Sequence, residues 1–249
     1  MALQESPLLS VAQEELPKGA AILDLELTPA QIKRFSLFCT LLLRANEHMN
    51  LTTITEPALV MRRHILDSLT VFPAIPGLGS AQCSLVDVGS GAGLPGLPVA
   101  IAAPLLRVTL IDSVGKKIRF IDETVERLGL ENVRTAAARV ENIGATWGRD
   151  HYDMCIARAV ADTPVLVEYC APLVRCGGKI VLYKNGDPNR ELEAALRAGS
   201  KLGCHFASVF SVPTELGVGQ DRFLLILEKS SPTPTGFPRR IGVARKHPL

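Results

Sequence analysis

Leu85-Val86-Asp87-Val88-Gly89-Ser90-Gly91-Ala92-Gly93-Leu94-Pro95-Gly96 is the stretch that decides the fold. A short apolar run bounded by turn residues reads as a buried strand. Here the run passes straight into four glycines and then into a second apolar segment that continues to about Ala103. Strand, glycine turn and helix in that order open a βαβ unit of a doubly wound sheet, and ligands bind beyond the carboxyl end of such a strand. Glycine at the turn lets backbone approach a ligand closely and take φ values other residues avoid.

Downstream the alternation continues. Arg107 to Asp112 is a second strand and Val114 to Leu128 a helix, and Val133 to Ala138 is a third strand, weakened by its alanines. Tyr152 to Ala157 is a fourth strand, Thr163 to Val174 helical, Gly178 to Tyr183 a fifth strand, and Glu191 to Leu202 a helix. His205 to Ser211 and Phe223 to Glu228 follow with no helix between them. This pattern predicts an α/β fold with a mostly parallel, Rossmann-like seven-strand sheet, helices on both faces and one antiparallel strand from the final hairpin.

Upstream, Thr28-Pro29-Ala30-Gln31 is a capping-box pattern with proline at the first helical position. Ile32, Phe35, Phe38, Leu41 and Leu42 then recur at helical spacing. A second helix starts near Pro57, buries Leu59, Val60, Ile65, Leu66 and Leu69, and is broken by Pro73, Pro76, Gly77 and Gly79. The expected organisation is a disordered leader over 1–27, a helical cap over 28–80, the main domain over 81–230 and a basic tail over 231–249.

A chain of 249 residues suits one core with a small appendage. Its net charge of +2, from 27 Lys and Arg against 25 Asp and Glu, excludes a nucleic-acid coat while allowing a local basic face. Cys39, Cys83, Cys155, Cys170, Cys176 and Cys204 form no C-x-x-C pair and have no His cluster nearby. They read as reduced thiols, mostly buried, and no metal is expected. Glu5, Glu14 and Glu15 argue against a transit peptide, and Leu97 to Leu106 is too short to span a membrane. A cytoplasmic, soluble protein without membrane partners is expected, as a monomer.

Gly91, Gly93 and Gly96 also fit G-x-G-x-x-G, a weak signal by itself. Two details favour S-adenosylmethionine over a nicotinamide dinucleotide. Asp87 would repel a pyrophosphate but suits a ligand carrying a sulfonium and an ammonium. Pro95 removes an N–H from the start of the next helix and spoils a phosphate site. Asp112, nineteen positions after Gly93, can accept both ribose hydroxyls of a nucleoside or simply cap the following helix. The blandest reading of the loop is a turn whose glycines serve only helix–sheet packing.

At this point the chain resembles the RsmG (GidB) ribosomal RNA guanine-N7 methyltransferases. The resemblance is carried by Asn50-Leu51-Thr52, Arg63 through Leu69, Asp87 through Pro98, and Asp112 with Lys116-Lys117. It continues through Arg139-Val140-Glu141, Ala157-Arg158-Ala159, Lys184, and the tail Pro238-Arg239-Arg240, Gly242 and His247-Pro248-Leu249. The family implies a class I methyltransferase fold, S-adenosylmethionine as methyl donor, and N7 methylation of one guanine in the decoding-region loop of 16S ribosomal RNA. Carried over residue by residue, it implies donor contacts from Gly89 and Leu94 and ribose contacts from Asp112 and Ser113. Val140 and Glu141 would flank the adenine, and Arg158 would border the methionine moiety. Leu94, where the family often has Phe, weakens any ring contact, and Asn185-Gly186 after Lys184 departs from the family's loop.

Guanine N7 carries an in-plane lone pair and no proton, so no general base is needed and none is named. Proximity and orientation can supply on the order of 7 kcal/mol of the barrier. The chain has no Asn-Pro-Pro-Tyr or Asp-Pro-Pro-Tyr segment to grip an exocyclic amine, nor a Pro-Cys pair for pyrimidine C5 chemistry. Cys155 sits between Met154 and Ile156 and reads as a core residue. Arg158, at the sheet's carboxyl edge, could hold the donor carboxylate or a guanine edge with its planar fork. Its replacement by Ala is expected to lower turnover with little loss of fold.

Lys116, Lys117 and Arg119 place positive charge at a helix start, which RNA phosphate would explain, though a solvated face would serve as well. Lys184 and the tail residues Arg239, Arg240, Arg245 and Lys246 complete the expected RNA-binding set, the tail ordering on RNA. His64 and Asp67, one helical turn apart, are expected to share a structural hydrogen bond. Two other readings stay open. One is a nicotinamide-dependent oxidoreductase, supported only by the glycines and Asp112; the other is a non-catalytic ribosome-assembly factor that keeps the fold.

Overall fold

The structure, a computed structural model, describes residues 7–249. Its sheet contains β1 (Ser84–Val88), β2 (Arg107–Asp112), β3 (Val133–Ala137), β4 (Tyr152–Arg158), β5 (Val174–Asn185), β6 (Cys204–Ser211) and β7 (Arg222–Lys229). They lie in the order β3-β2-β1-β4-β5-β7-β6. β1 is parallel to both its neighbours, β2 and β4. The chain winds outward on one side of β1 and then returns to lay β4 on the other, so the carboxyl ends of β1 and β4 form the switch point where a crevice opens. β7 runs antiparallel to β5 and β6, in keeping with a short connection from β6 that holds a 3₁₀ turn (Thr214–Leu216) and no α-helix.

Side chains alternate across β1. Leu85 joins one hydrophobic cluster, while Val86 and Val88 join a second on the opposite face. The first face is covered by α1 (Leu9–Ile22), α2 (Pro29–Met49), α6 (Gly96–Ala102) and α7 (Gly115–Leu128). A broken helical stretch joins them: α3 (Pro57–Val60), a π-turn over Met61–Leu66, α4 (Asp67–Leu69) and α5 (Val71–Ala74). The second face carries α8 (Val140–Gly144), α9 (Thr163–Cys170), α10 (Pro188–Leu202) and the short C-terminal α11 (Val243–Lys246).

The capping box forms as expected: Gln31 N donates to Thr28 Oγ1 at 3.2 Å, and Thr28 N donates to Gln31 Oε1 at 2.8 Å. The Gln31 amide also donates to the carbonyls of Ile101 and Ala102 at the end of α6, at 3.1 and 2.9 Å. The cap is thereby pinned to the main domain, and Phe35 and Phe38, both fully buried, share one core with the sheet residues Leu85, Leu110 and Ile156. Truncating either phenylalanine to Ala would cost about 3–5 kcal/mol.

Two sequence expectations need correction here. Most of the leader is ordered: α1 buries Ala12, Leu16 and Ala20, with Leu8 and Leu23 flanking it. Those positions recur every three or four residues, a stripe of small and medium side chains that reads weakly as a helix. Gly19 lies against Leu66, and Arg62 donates to the Glu15 carboxylate at 2.5 and 2.9 Å. Residues 1–6 of the leader lie outside the described residues. The other correction concerns the tail, which is packed on the second face: Ala244 is buried, and Phe237 and Leu249 rest on the same cluster.

Among the described residues no helix is long and apolar enough to cross a membrane. No group of three or more His, Cys, Asp or Glu side chains is arranged to hold a metal ion there. Cys39, Cys155, Cys170 and Cys204 are buried free thiols, Cys83 is half-buried and Cys176 exposed. Burial pushes the Cys155 thiol far above its ordinary range, in keeping with a core residue.

Candidate functional site

β1 aims its carboxyl end at the switch point, and the glycine turn begins there. Gly89 N and Ser90 N both donate to Ile111 O of β2, at 2.8 and 3.0 Å, which holds the turn flat against the neighbouring strand. Gly89 adopts φ 71°, and a Cβ there would stand 2.5 Å from Val160 in the loop after β4. Gly91, at φ 57°, is different: a Cβ would meet only the Gly89 carbonyl at 3.9 Å, so the space above it is open. Gly93 and Gly96 are packing glycines, whose Cβ atoms would strike Leu97 at 2.4 Å and Asp87 Oδ2 at 2.7 Å. Packing thus excludes a side chain at three of the four, and Gly91 alone among them faces open space.

Asp87 is completely buried on the cap side of β1. Its Oδ2 accepts from Gly96 N at 2.8 Å and so satisfies the first turn of α6, while Oδ1 has no partner among the described residues. Burial raises its pKa to about 7, against the opposing pull of the Gly96 N–H and of Arg158. A carboxyl group with a free acceptor beneath a glycine turn can take a hydrogen bond from a bound ammonium group, and its charge would be restored by that contact.

Asp112 ends β2. Its Oδ2 accepts from Gly91 N at 3.0 Å and its Oδ1 from Val114 N at 2.8 Å. It thus braces the turn and the start of α7, and it also lines a cavity of about 300 Å³. Gly89, Ser113, Val140 and Glu141 line that cavity too. Lys117 also borders it.

Asp87, Gly91, Gly93, Leu94 and Arg158 are not in the cavity lining. Leu94 is buried in the first hydrophobic cluster. Arg158 Nη1 donates to Asp67 Oδ2 at 2.6 Å, and both side chains are nearly buried, 11% and 3% exposed. That pair corrects the expected His64–Asp67 bond: His64 Nε2 instead meets Thr52 Oγ1 at 2.8 Å. Burial and the nearby Arg158 charge lower the His64 pKa to about 4, so the ring is neutral at physiological pH. It also corrects the expectation that Arg158 can be removed cheaply, since Asp67 would be left buried and unpaired.

The expected RNA-binding residues divide. Lys116, Arg119, Arg240 and Lys246 are exposed. Lys184 pairs with Glu191 at 2.9 Å, and Glu191 also takes the Thr163 hydroxyl. Arg239 is clasped by Glu168, a buried carboxylate of α9: Nε donates at 2.9 and 3.0 Å, Nη2 at 2.5 Å, and the backbone N at 3.1 Å. Arg245 lines the cavity and donates to Val160 O at 3.2 Å. Arg239 and Arg245 are therefore engaged by the protein itself, because Glu168 and Val160 come to the tail from distant parts of the chain.

Sequence reasoning missed Tyr169 and the Val160 loop as cavity walls. Tyr169 gave no signal beyond its place in an apolar helix, and Val160 follows Arg158 by two residues in an undistinguished turn. With this geometry in view, the relatives are informative. The family described as rRNA small subunit methyltransferase G matches residues 31–216. The chain belongs to that family. Ribosomal RNA small subunit methyltransferase G of Lactobacillus delbrueckii subsp. bulgaricus is 39% identical over 227 residues, covering 90% of this chain and 94% of the relative. That of Limosilactobacillus fermentum is 40% identical over 235 residues, covering 92% and 96%. Among solved structures, a variant of the 16S rRNA (adenine(1408)-N(1))-methyltransferase from Catenulisporales acidiphilia superposes with a TM-score of 0.51 at 17% identity, covering 64% of this chain and 90% of that one. That likeness concerns the fold, a class I methyltransferase sheet.

Proposed function

We propose that this member of the family transfers a methyl group from S-adenosylmethionine to N7 of a guanine in the decoding-region loop of 16S ribosomal RNA. The observation that carries the reading is the cavity at the carboxyl ends of β1, β2 and β4, bordered by the glycine turn and by Asp112. Nucleoside ligands of doubly wound sheets occupy that position. The open space above Gly91 and the unpartnered Asp87 oxygen fit a ligand that carries an adenosine at one end and an ammonium at the other.

Within this reading, Asp112 and Ser113 take the ribose, Val140 and Glu141 flank the adenine, and Gly89 lets the loop approach the ligand. Asp87 takes the ammonium, and Arg158, braced by Asp67, borders the methionine end. Bound S-adenosylmethionine supplies an electrophilic methyl group on a sulfonium. The residues around it bind and orient; the guanine nitrogen already holds its lone pair, so none has to remove a proton. Exposed Lys116, Arg119, Arg240 and Lys246 provide sequence-independent contacts to RNA phosphates.

Incubation with labelled S-adenosylmethionine and small ribosomal subunits from cells lacking the gene tests the proposal, with digestion of the RNA and mass spectrometry of its nucleosides. Label in 7-methylguanosine at one site is the expected result. Label in another nucleoside would break the atom assignment, and no label in subunits or naked RNA would break the proposal as a whole.

A further inference from the structure

The C-terminal segment was expected to be an arm for RNA, yet its contacts point inward. Arg239 is held by Glu168, and its Nη2 also donates to His247 O at 2.9 Å, which folds the last residues back on themselves. Arg149 holds the start of the segment, donating to Phe237 O at 2.7 Å and Thr233 O at 2.5 Å. Between these clasps, Gly242 N donates to Glu141 Oε1 at 3.1 Å. Glu141 is one of the residues that border the cavity, and it is nearly buried. Arg245 then donates to the carbonyl of Val160, the valine whose side chain closes over Gly89.

Three groups from three parts of the chain therefore converge at one end of the cavity. Tyr169 of α9 borders the same cavity, close enough to the Glu141 carboxylate and the Arg245 guanidinium for both to act on its hydroxyl. Burial and the Glu141 charge push its hydroxyl pKa up, and Arg245 opposes them. All three side chains line the cavity.

We infer that residues 237–249 are a strap that completes the donor pocket, and that Arg245 is a donor-binding residue at its adenine end. The inference rests on the function proposed above. A planar cation suits a purine, because it can stack on the ring face and donate to ring nitrogens. The clasp of Arg239 on Glu168 sets where Arg245 stands, so Arg239 is a positioning residue. Because the strap and the ligand share a wall, ligand binding must also stabilise the strap, by reciprocity of coupled equilibria.

Calorimetric titration with S-adenosylhomocysteine tests this in the full chain. Arg245 is exposed, so Arg245→Ala and Arg245→Lys leave the core intact. Arg245→Ala is expected to weaken binding about tenfold or more. Arg245→Lys should recover part of the loss, and in steady-state assays the KM for S-adenosylmethionine should rise while that for RNA stays constant. Arg239→Met should weaken binding and make the last residues sensitive to carboxypeptidase, with S-adenosylhomocysteine protecting the wild-type strap. Unchanged affinity in Arg245→Ala, beside normal binding by the wild type, would overturn the inference alone. Weakened RNA binding with unchanged affinity for S-adenosylhomocysteine would overturn it too and return the tail to an RNA arm. No binding by the wild type would remove both the inference and the function it rests on.

Discussion

The glycine turn after β1 and the C-terminal strap border the same cavity, yet they are built in opposite ways. The turn is local. Its shape follows from a few neighbouring residues, with Gly89 and Gly91 at positive φ and Asp87 closing back on Gly96 nine residues later. The strap is long-range. Glu168 meets Arg239 across 71 positions, and Glu141 meets Gly242 across 101. A local device announces itself in the sequence, whereas a long-range one has two halves that look ordinary until the fold brings them together.

The same contrast orders the expected effects of substitution. The largest belongs to a long-range pair. Arg158→Ala strands the buried Asp67 carboxylate and should cost about 3–5 kcal/mol in denaturant unfolding, with Asp67→Asn in the same chain recovering much of it. An unfolding midpoint equal to that of the wild type would show that the pair contributes nothing. Next comes the local turn: Gly89→Val puts side-chain atoms into Val160 and forces a β-branched residue to positive φ. Methyl transfer should fall on the order of a hundredfold through misplacement of the donor. Activity near the wild-type level would mean that the turn does not set the ligand's position.

A pH series separates Asp87 from its surroundings. Its folded pKa is raised, from 3.8 to about 7, so the folded state holds a proton that the unfolded chain releases. Stability from this group is full below the lower value and is lost as pH rises through the upper one. His64 works in the opposite sense, since its pKa is lowered from 6.5 to about 4, and it contributes to wild type and variant alike. The stability of wild type minus that of Asp87→Asn should therefore decline from about pH 4 to about pH 7. A flat difference would show that Asp87 is ionised in the ligand-free fold. The smallest effect is the most local one: Thr28→Ala removes half of the capping box and should cost about 1 kcal/mol. A much larger loss would mean that Gln31, freed from Thr28, also lets go of the end of α6.

Much of the fold was legible because its signals are periodic or conformational. The strand and helix order, the Thr28 cap and the antiparallel β7 follow from apolar spacing, a capping motif and a missing helix. Gly89, Asp112, Ser113, Val140 and Glu141, named from the turn, the end of β2 and the family resemblance, all line one cavity. The inward contacts of Arg239 and Arg245 were not legible, because a basic, proline-containing tail looks the same in sequence whether its partners are phosphates or a buried glutamate. Glu168, on an apolar helix, gave no sign that it awaited a cation. The α1 stripe was missed for a related reason: Ala12, Gly19 and Ala20 bury little area each, and Gly19 contributes through close packing on Leu66.

The most direct test is a crystal structure of the full chain with S-adenosylhomocysteine bound. Expected is the ribose on Asp112, the amino group at Asp87, and the purine between the Val140–Glu141 wall and Arg245, with the strap in place. A purine bound elsewhere, or a strap displaced from the cavity while the ligand is held, would contradict it.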